Sequence, residues 1–159
     1  MSNSGIYPAL SGASAGSQAL DVLANNVANT KGSIGYVEFA YAKQNKLTHT
    51  AMTNKDGKQV APEMASFQAA AANASWSSTP GYGVILTDQP GEKSWPITAA
   101  TFILMHKDAT DKAASQEAIK FFRWSFEKGG KMAEELDYIP MPASVVDLIR
   151  KTWTAEIKS

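Results

Sequence analysis

Gly32-Ser-Ile-Gly-Tyr-Val-Glu-Phe-Ala-Tyr-Ala-Lys-Gln-Asn-Lys46 changes character in its middle, and the rest of the chain is organised around that change. Ile34, Tyr36 and Val37 make a short β-prone run opened by glycines. From Phe39 to Lys46 the mixture of aromatics, alanines and long polar residues suits a helix instead. The expected local order is strand, then short helix, with the strand beginning a sheet that the later chain completes.

Downstream, residues 47–53 alternate as a second strand would, and Asn54-Lys-Asp-Gly-Lys58 is a turn with Gly57 placed for positive φ, so a hairpin is expected. Pro62 opens a helix through Met64, Phe67 and the alanine run to Ala74, and the Ser77-Ser-Thr-Pro-Gly81 cluster closes it. Residues 82–87 read as a short strand and 88–96 as a loop. Ile97-Thr-Ala-Ala-Thr-Phe-Ile-Leu-Met-His106 is apolar almost throughout, the pattern of a central strand buried on both faces. The last third reads as helices. Asp111 caps one over 112–128, with Ala114, Ala118, Phe122 and Phe126 on one face and Ile119 and Phe121 flanking them; Gly129-Gly130 stops it. A short turn follows over 131–136, then a connector with two prolines, then a final helix from Ser144 with Val145, Ile149 and Trp153 on one stripe.

Upstream, Leu20, Leu23, Ala24 and Val27 fall at i, i+3, i+4 and i+7, which lays one apolar stripe along a helix of about three turns. Ser17 is its expected N-cap, and Asn29, Thr30 and Gly32 its stop.

Bulk properties set the frame. The 159 residues, 44% hydrophobic, suffice for one domain with a core. Fifteen basic residues balance fifteen acidic ones, so the overall charge supports neither a nucleic-acid-binding field nor an acidic tail, and any anion must be steered locally. The absence of cysteine removes disulfides, zinc thiolates and cysteine nucleophiles. No apolar run approaches the roughly 20 residues of a membrane span. Met-Ser-Asn-Ser-Gly-Ile-Tyr7 lacks the basic start and apolar centre of a secretory signal, so no export address is visible.

Several motifs agree in order with one family. Gly32 to Lys46, Trp95-Pro-Ile-Thr-Ala-Ala-Thr-Phe-Ile-Leu-Met-His-Lys107, Ala118-Ile-Lys-Phe-Phe122, Ala133-Glu-Glu-Leu-Asp-Tyr-Ile-Pro-Met-Pro142 and Lys151-Thr-Trp153 resemble the C-terminal half of the periplasmic phosphate-binding subunit of the phosphate ABC transporter, the PstS-type family. The resemblance covers residues 25–158. It implies an α/β fold: one lobe of a type II periplasmic-binding-protein-like molecule, a mixed sheet flanked by helices, here with an extra N-terminal helix. It further implies a non-enzymatic protein without cofactor or metal, located in the periplasm, with inorganic phosphate and a membrane permease as partners.

A second family resembles the head of the chain. Ser4-Gly-Ile-Tyr-Pro-Ala-Leu-Ser-Gly-Ala-Ser14 followed by Gln18-Ala-Leu-Asp-Val-Leu-Ala-Asn-Asn-Val-Ala-Asn-Thr30 is similar to the N-terminal signature of flagellar rod and hook proteins. Two segments result, a rod-like one over 1–30 and a phosphate-binder-like one over 31–159. The strings meet at Asn25-Asn-Val-Ala-Asn-Thr30, as a join between unrelated sequences would, and a chimera reads ahead of an ordinary family member; the alternative is that residues 1–30 are simply a small-residue linker and one amphipathic helix. The rod resemblance implies helix pairing in an axial assembly. Such a protein pairs its first helix with a second at the C-terminus, whereas the final helix here follows the phosphate-binder pattern.

The resemblance also implies where the ligand residues would be, in an opening Gly-Ala-Thr-Phe-type loop and an Arg…Ser-Gly-Thr cluster that precede the part matched here. The only arginines, Arg123 and Arg150, fall on expected helices of the last third. One substitute is available. Leu10-Ser-Gly-Ala-Ser-Ala-Gly-Ser17 leads into a helix, and the hydroxyls and amides of Ser11, Gly12, Ser14 and Ser17 would form an anion nest, although such an entry also serves as a cap or linker. His49 and His106 lack a carboxylate at metal-ligand spacing, Glu134, Glu135 and Asp137 read as an exposed acidic helix end, and Trp76, Trp95, Trp124 and Trp153 read as packing residues. Without its neighbouring strands the sheet would show an edge, so rescue by residues 1–30 or a homodimer by exchange is expected.

Overall fold

The computed structural model describes residues 13–158, with side chains from Asp21 onward. The chain divides into two compact units, one ending at Thr48 and one beginning at His49.

In the first unit, helix α1 spans Ala13–Asn29 and helix α2 spans Phe39–Gln44. Between them, residues 33–38 carry no helix or strand hydrogen bonding, which corrects the expected strand at Ile34 to Val37. Its side chains are sorted all the same: Ile34 and Tyr36 are 84% and 85% exposed, while Val37 is half-buried. Within the described residues the stripe on α1 is as expected, with Ala24 buried and Leu23 and Val27 half-buried.

The second unit opens on the expected hairpin, but the strand expected over 47–53 is reduced to its last two residues, since 47–51 have no ladder. Strand β1, Met52–Thr53, pairs antiparallel with β2, Gln59–Val60, and Gly57 takes φ 74° in the turn. Helix α3, Met64–Asn73, begins on a reciprocal cap, in which the Glu63 side chain accepts from the Ser66 backbone and the Ser66 hydroxyl from the Glu63 backbone. Two short 3₁₀ turns, Trp76–Ser78 and Pro80–Tyr82, follow, and the strand expected over 82–87 does not form: Tyr82 ends the second turn and 83–87 have no ladder. Helix α4 runs Lys112–Lys128 with the Asp111 carboxylate accepting from Ala114 N at 2.9 Å, as its sequence indicates. Its inner face is Ser115, Ala118, Ile119, Phe122 and Phe126; Ala114 and Phe121 are exposed. Helices α5, Gly130–Glu135, and α6, Ala143–Glu156, complete the chain.

The core lies between α3 and α6. Ala71, Ala74, Trp76, Leu86 and Val145 form it, and Leu148, Ile149, Met141 and Ala100 pack against it. Trp76 Nε1 donates to Ala71 O at 2.7 Å, so the indole is buried without an orphaned donor.

The described residues thus contain a two-stranded ribbon rather than a flanked mixed sheet. The expected central strand is the main departure: residues 98–106 have no ladder, Leu104 is 93% exposed and Ile103 60%. Thr98 is buried and Ala100 half-buried while Ile97, Ala99 and Thr101 face outward, so one face is covered, not two. A strand exists only through the hydrogen bonds of its neighbours. Among the described residues this segment meets another backbone near its end, where Lys158 N donates to Lys107 O at 2.8 Å.

Candidate functional site

The candidate anion nest falls mostly at the edge of what is described. Ser11 and Gly12 lie outside the described residues. Ser14 and Ser17 lie within α1, whose first residue is Ala13. Ser17 is therefore not the N-cap. The two alanines before it, Ala13 and Ala15, are strong helix formers, and the helix begins a turn earlier in spite of Gly16.

The most highly connected polar group in the second unit is one the sequence reading passed over. Asn54, 6% exposed, sits at the hairpin turn. Its amide donates toward Gly91 O and Glu92 O at 3.0 Å and Ser94 O at 3.3 Å, and its Oδ1 accepts from Asp56 N at 3.1 Å and Lys58 N at 3.0 Å. Asp56 Oδ2 accepts from Gly91 N at 3.1 Å, and Gly91 has φ 114°. Ser94, fully buried, donates to Pro90 O at 2.7 Å and accepts from Asn73 Nδ2 at 3.2 Å. This node ties the 88–96 loop to the hairpin and α3. Both side-chain ends of Asn54 are engaged, so the node is a brace. The signal that could have found it was Asn at the first position of a turn, where its side chain bonds its own backbone.

The two arginines occupy shallow surface grooves. A groove of about 340 Å³ is lined by Gln116, Ile119, Lys120 and Arg123 of α4, and one of about 370 Å³ by Arg150, Lys151, Thr154 and Ala155 of α6. Lys120 is paired with Glu117 at 2.6 Å and Arg150 with Glu127 at 3.2 Å. Neither groove adds buried hydroxyls or a helix N-terminus to its guanidinium, the combination that would hold a dehydrated anion.

Among the described residues no group of three or more His, Asp or Glu stands where it could hold a metal ion. No described helix is long and apolar enough to cross a membrane. Three tryptophans pack as expected: Trp76 in the core, Trp95 edge-on to Phe67 at 6.1 Å, and Trp153 against Phe126 at 5.9 Å. Trp124 departs from expectation. It is 47% exposed and stacks on Phe121, itself exposed, on the outer side of α4.

Comparison with known proteins accounts for both textures of the sequence. Residues 6–32 match the family model described as flagella basal body rod protein. A phosphate-binding protein PstS of Pasteurella multocida is 50% identical over 133 residues, 84% of this chain and 39% of that protein. Those of Xylella fastidiosa and Haemophilus influenzae are each 48% identical over 136 residues, 86% of this chain and 37% and 41% of theirs. The chain thus spans about two-fifths of the length of these relatives. Over most of its length this sequence resembles phosphate-binding proteins of the PstS kind, and over residues 6–32 it resembles flagellar basal body rod proteins.

Proposed function

We propose that the chain is a non-enzymatic solute-binding component of phosphate ABC transport, which holds inorganic phosphate in the periplasm and passes it to a membrane permease. The observation that carries this reading is the 50% identity to a phosphate-binding protein over 84% of the chain. Residues 31–159 would form the periplasmic-binding-protein-like lobe, and residues 1–30 an added helical segment. Ser11, Gly12 and Ser14 would supply hydroxyl and amide donors toward the start of α1, where the helix dipole favours an anion, and Ser17, one turn further into the helix, would add its hydroxyl. A second copy would provide the missing neighbour for residues 98–106, giving a homodimer.

The match of residues 6–32 to rod proteins favours a second reading, in which α1 serves assembly and the remainder is a passenger, or the whole is a chimera without selected function. Isothermal titration of the full chain with inorganic phosphate separates the two. Micromolar binding that is lost in Ser14→Ala/Ser17→Ala supports transport and the nest. No heat at millimolar phosphate overturns phosphate binding and leaves assembly. The mass of the same sample tests the dimer, which Leu104→Lys should dissociate.

A further inference from the structure

We propose that residues 33–42 are a strap that occupies the apolar stripe of α1 and keeps it from pairing with the same helix of a second copy of this chain. Three contacts, spread over residues 21–29 of the helix and Thr30, which follows it, fasten it. The Ser33 hydroxyl donates toward Thr30 O at 2.6 Å and Val27 O at 3.1 Å, using carbonyls that the end of a helix leaves open. At Gly35 a Cβ would stand 2.9 Å from both Leu23 Cδ2 and Val27 Cγ2, so the strap's backbone lies directly on the stripe. Further along, the Tyr41 hydroxyl donates to the Asp21 carboxylate.

What the strap covers is self-complementary. Leu23, Ala24 and Val27 are apolar, Val22 beside them is 60% exposed, and Asp21 is the single charged residue in α1. Two copies of this helix would bring together matching apolar stripes with almost no like-charge repulsion to oppose them, the usual device against unwanted pairing. The strap supplies the barrier instead. Its weakest point is Gly35, the position where any side chain lifts the backbone off the helix.

Because the chain contains no cysteine, the double variant Val27→Cys/Gly35→Cys tests this directly in the full chain. Oxidation should close a disulfide within one copy and hold the strap down, leaving the mass of the unmodified protein by light scattering. Reduction leaves a Cβ at position 35 pressing on Leu23, and self-association should strengthen by about tenfold. Adding Leu23→Asp should abolish that gain. Equal association in the two redox states, or a gain that survives Leu23→Asp, overturns the proposal. Tyr41→Phe removes one fastening without touching the packing and should raise association a few-fold, with circular dichroism confirming the fold; a folded Tyr41→Phe that associates no more than the parent overturns it equally.

Discussion

Replacing Asn54 by Ala should destabilise the second unit more than any other single polar truncation there. The amide has two hydrogens for three nearby carbonyls and the Oδ1 accepts two backbone N–H bonds, so at most four hydrogen bonds are held at once. Taking about 0.5–1.5 kcal/mol for each, and allowing water to reach the exposed Glu92, Asp56 and Lys58, the loss comes to about 2–4 kcal/mol. Most of it falls on the carbonyl of Ser94, a fully buried residue. Urea unfolding followed by tryptophan fluorescence measures this, since Trp95 is buried beside Ser94 and Trp76 lies in the core. Asn54→Asp sharpens the argument. It keeps the acceptor that the turn uses but sets a carboxylate against three carbonyls, so its folded pKa rises above the unfolded value of about 3.9. The charged form is the one penalised, and the deficit of Asn54→Asp relative to the parent should therefore shrink as pH falls through that raised pKa. If Asn54→Ala loses less than about 0.5 kcal/mol, or if Asn54→Asp shows no relief in acid, the loop and hairpin are not held together by this side chain.

Leu86, 3% exposed in the core, should cost about 2–4 kcal/mol when cut to Ala, read from the same urea curves. Asp111→Ala removes the α4 cap at Ala114 N and should cost about 1 kcal/mol, with Asp111→Asn nearly neutral, both by thermal unfolding. The hydrogen bond to Asp21 holds the Tyr41 phenol above its ordinary value of 10.0. A raised folded pKa means the contact contributes fully below pH 10 and is lost as pH rises through the raised value. Asp21→Asn should accordingly move one of the five tyrosines to an earlier step in an ultraviolet titration.

Where structure depends on neighbours in the chain, the sequence was a good guide, except at the start of α1, which lies a turn before Ser17. The cap at Asp111, the stripe Val145, Ile149 and Trp153 on α6, the Asn54 to Lys58 turn and the stripe on α1 each follow from a few side chains acting within one or two turns of themselves. The motifs shared with PstS and with rod proteins were equally legible, because each is written in a continuous string of residues. Tertiary structure decided the rest. The apolar, β-branched run 97–106 specifies a strand only if another backbone lies alongside it, and among the described residues none does along 98–106, so it stays without a ladder. Residues 34–37 met the same condition and became a strap on α1 because Gly35 lets backbone approach Leu23 and Val27. The Asn54 brace was invisible for a related reason: its amide partners lie 37 to 40 residues away, and no local pattern records which loop a buried side chain will find.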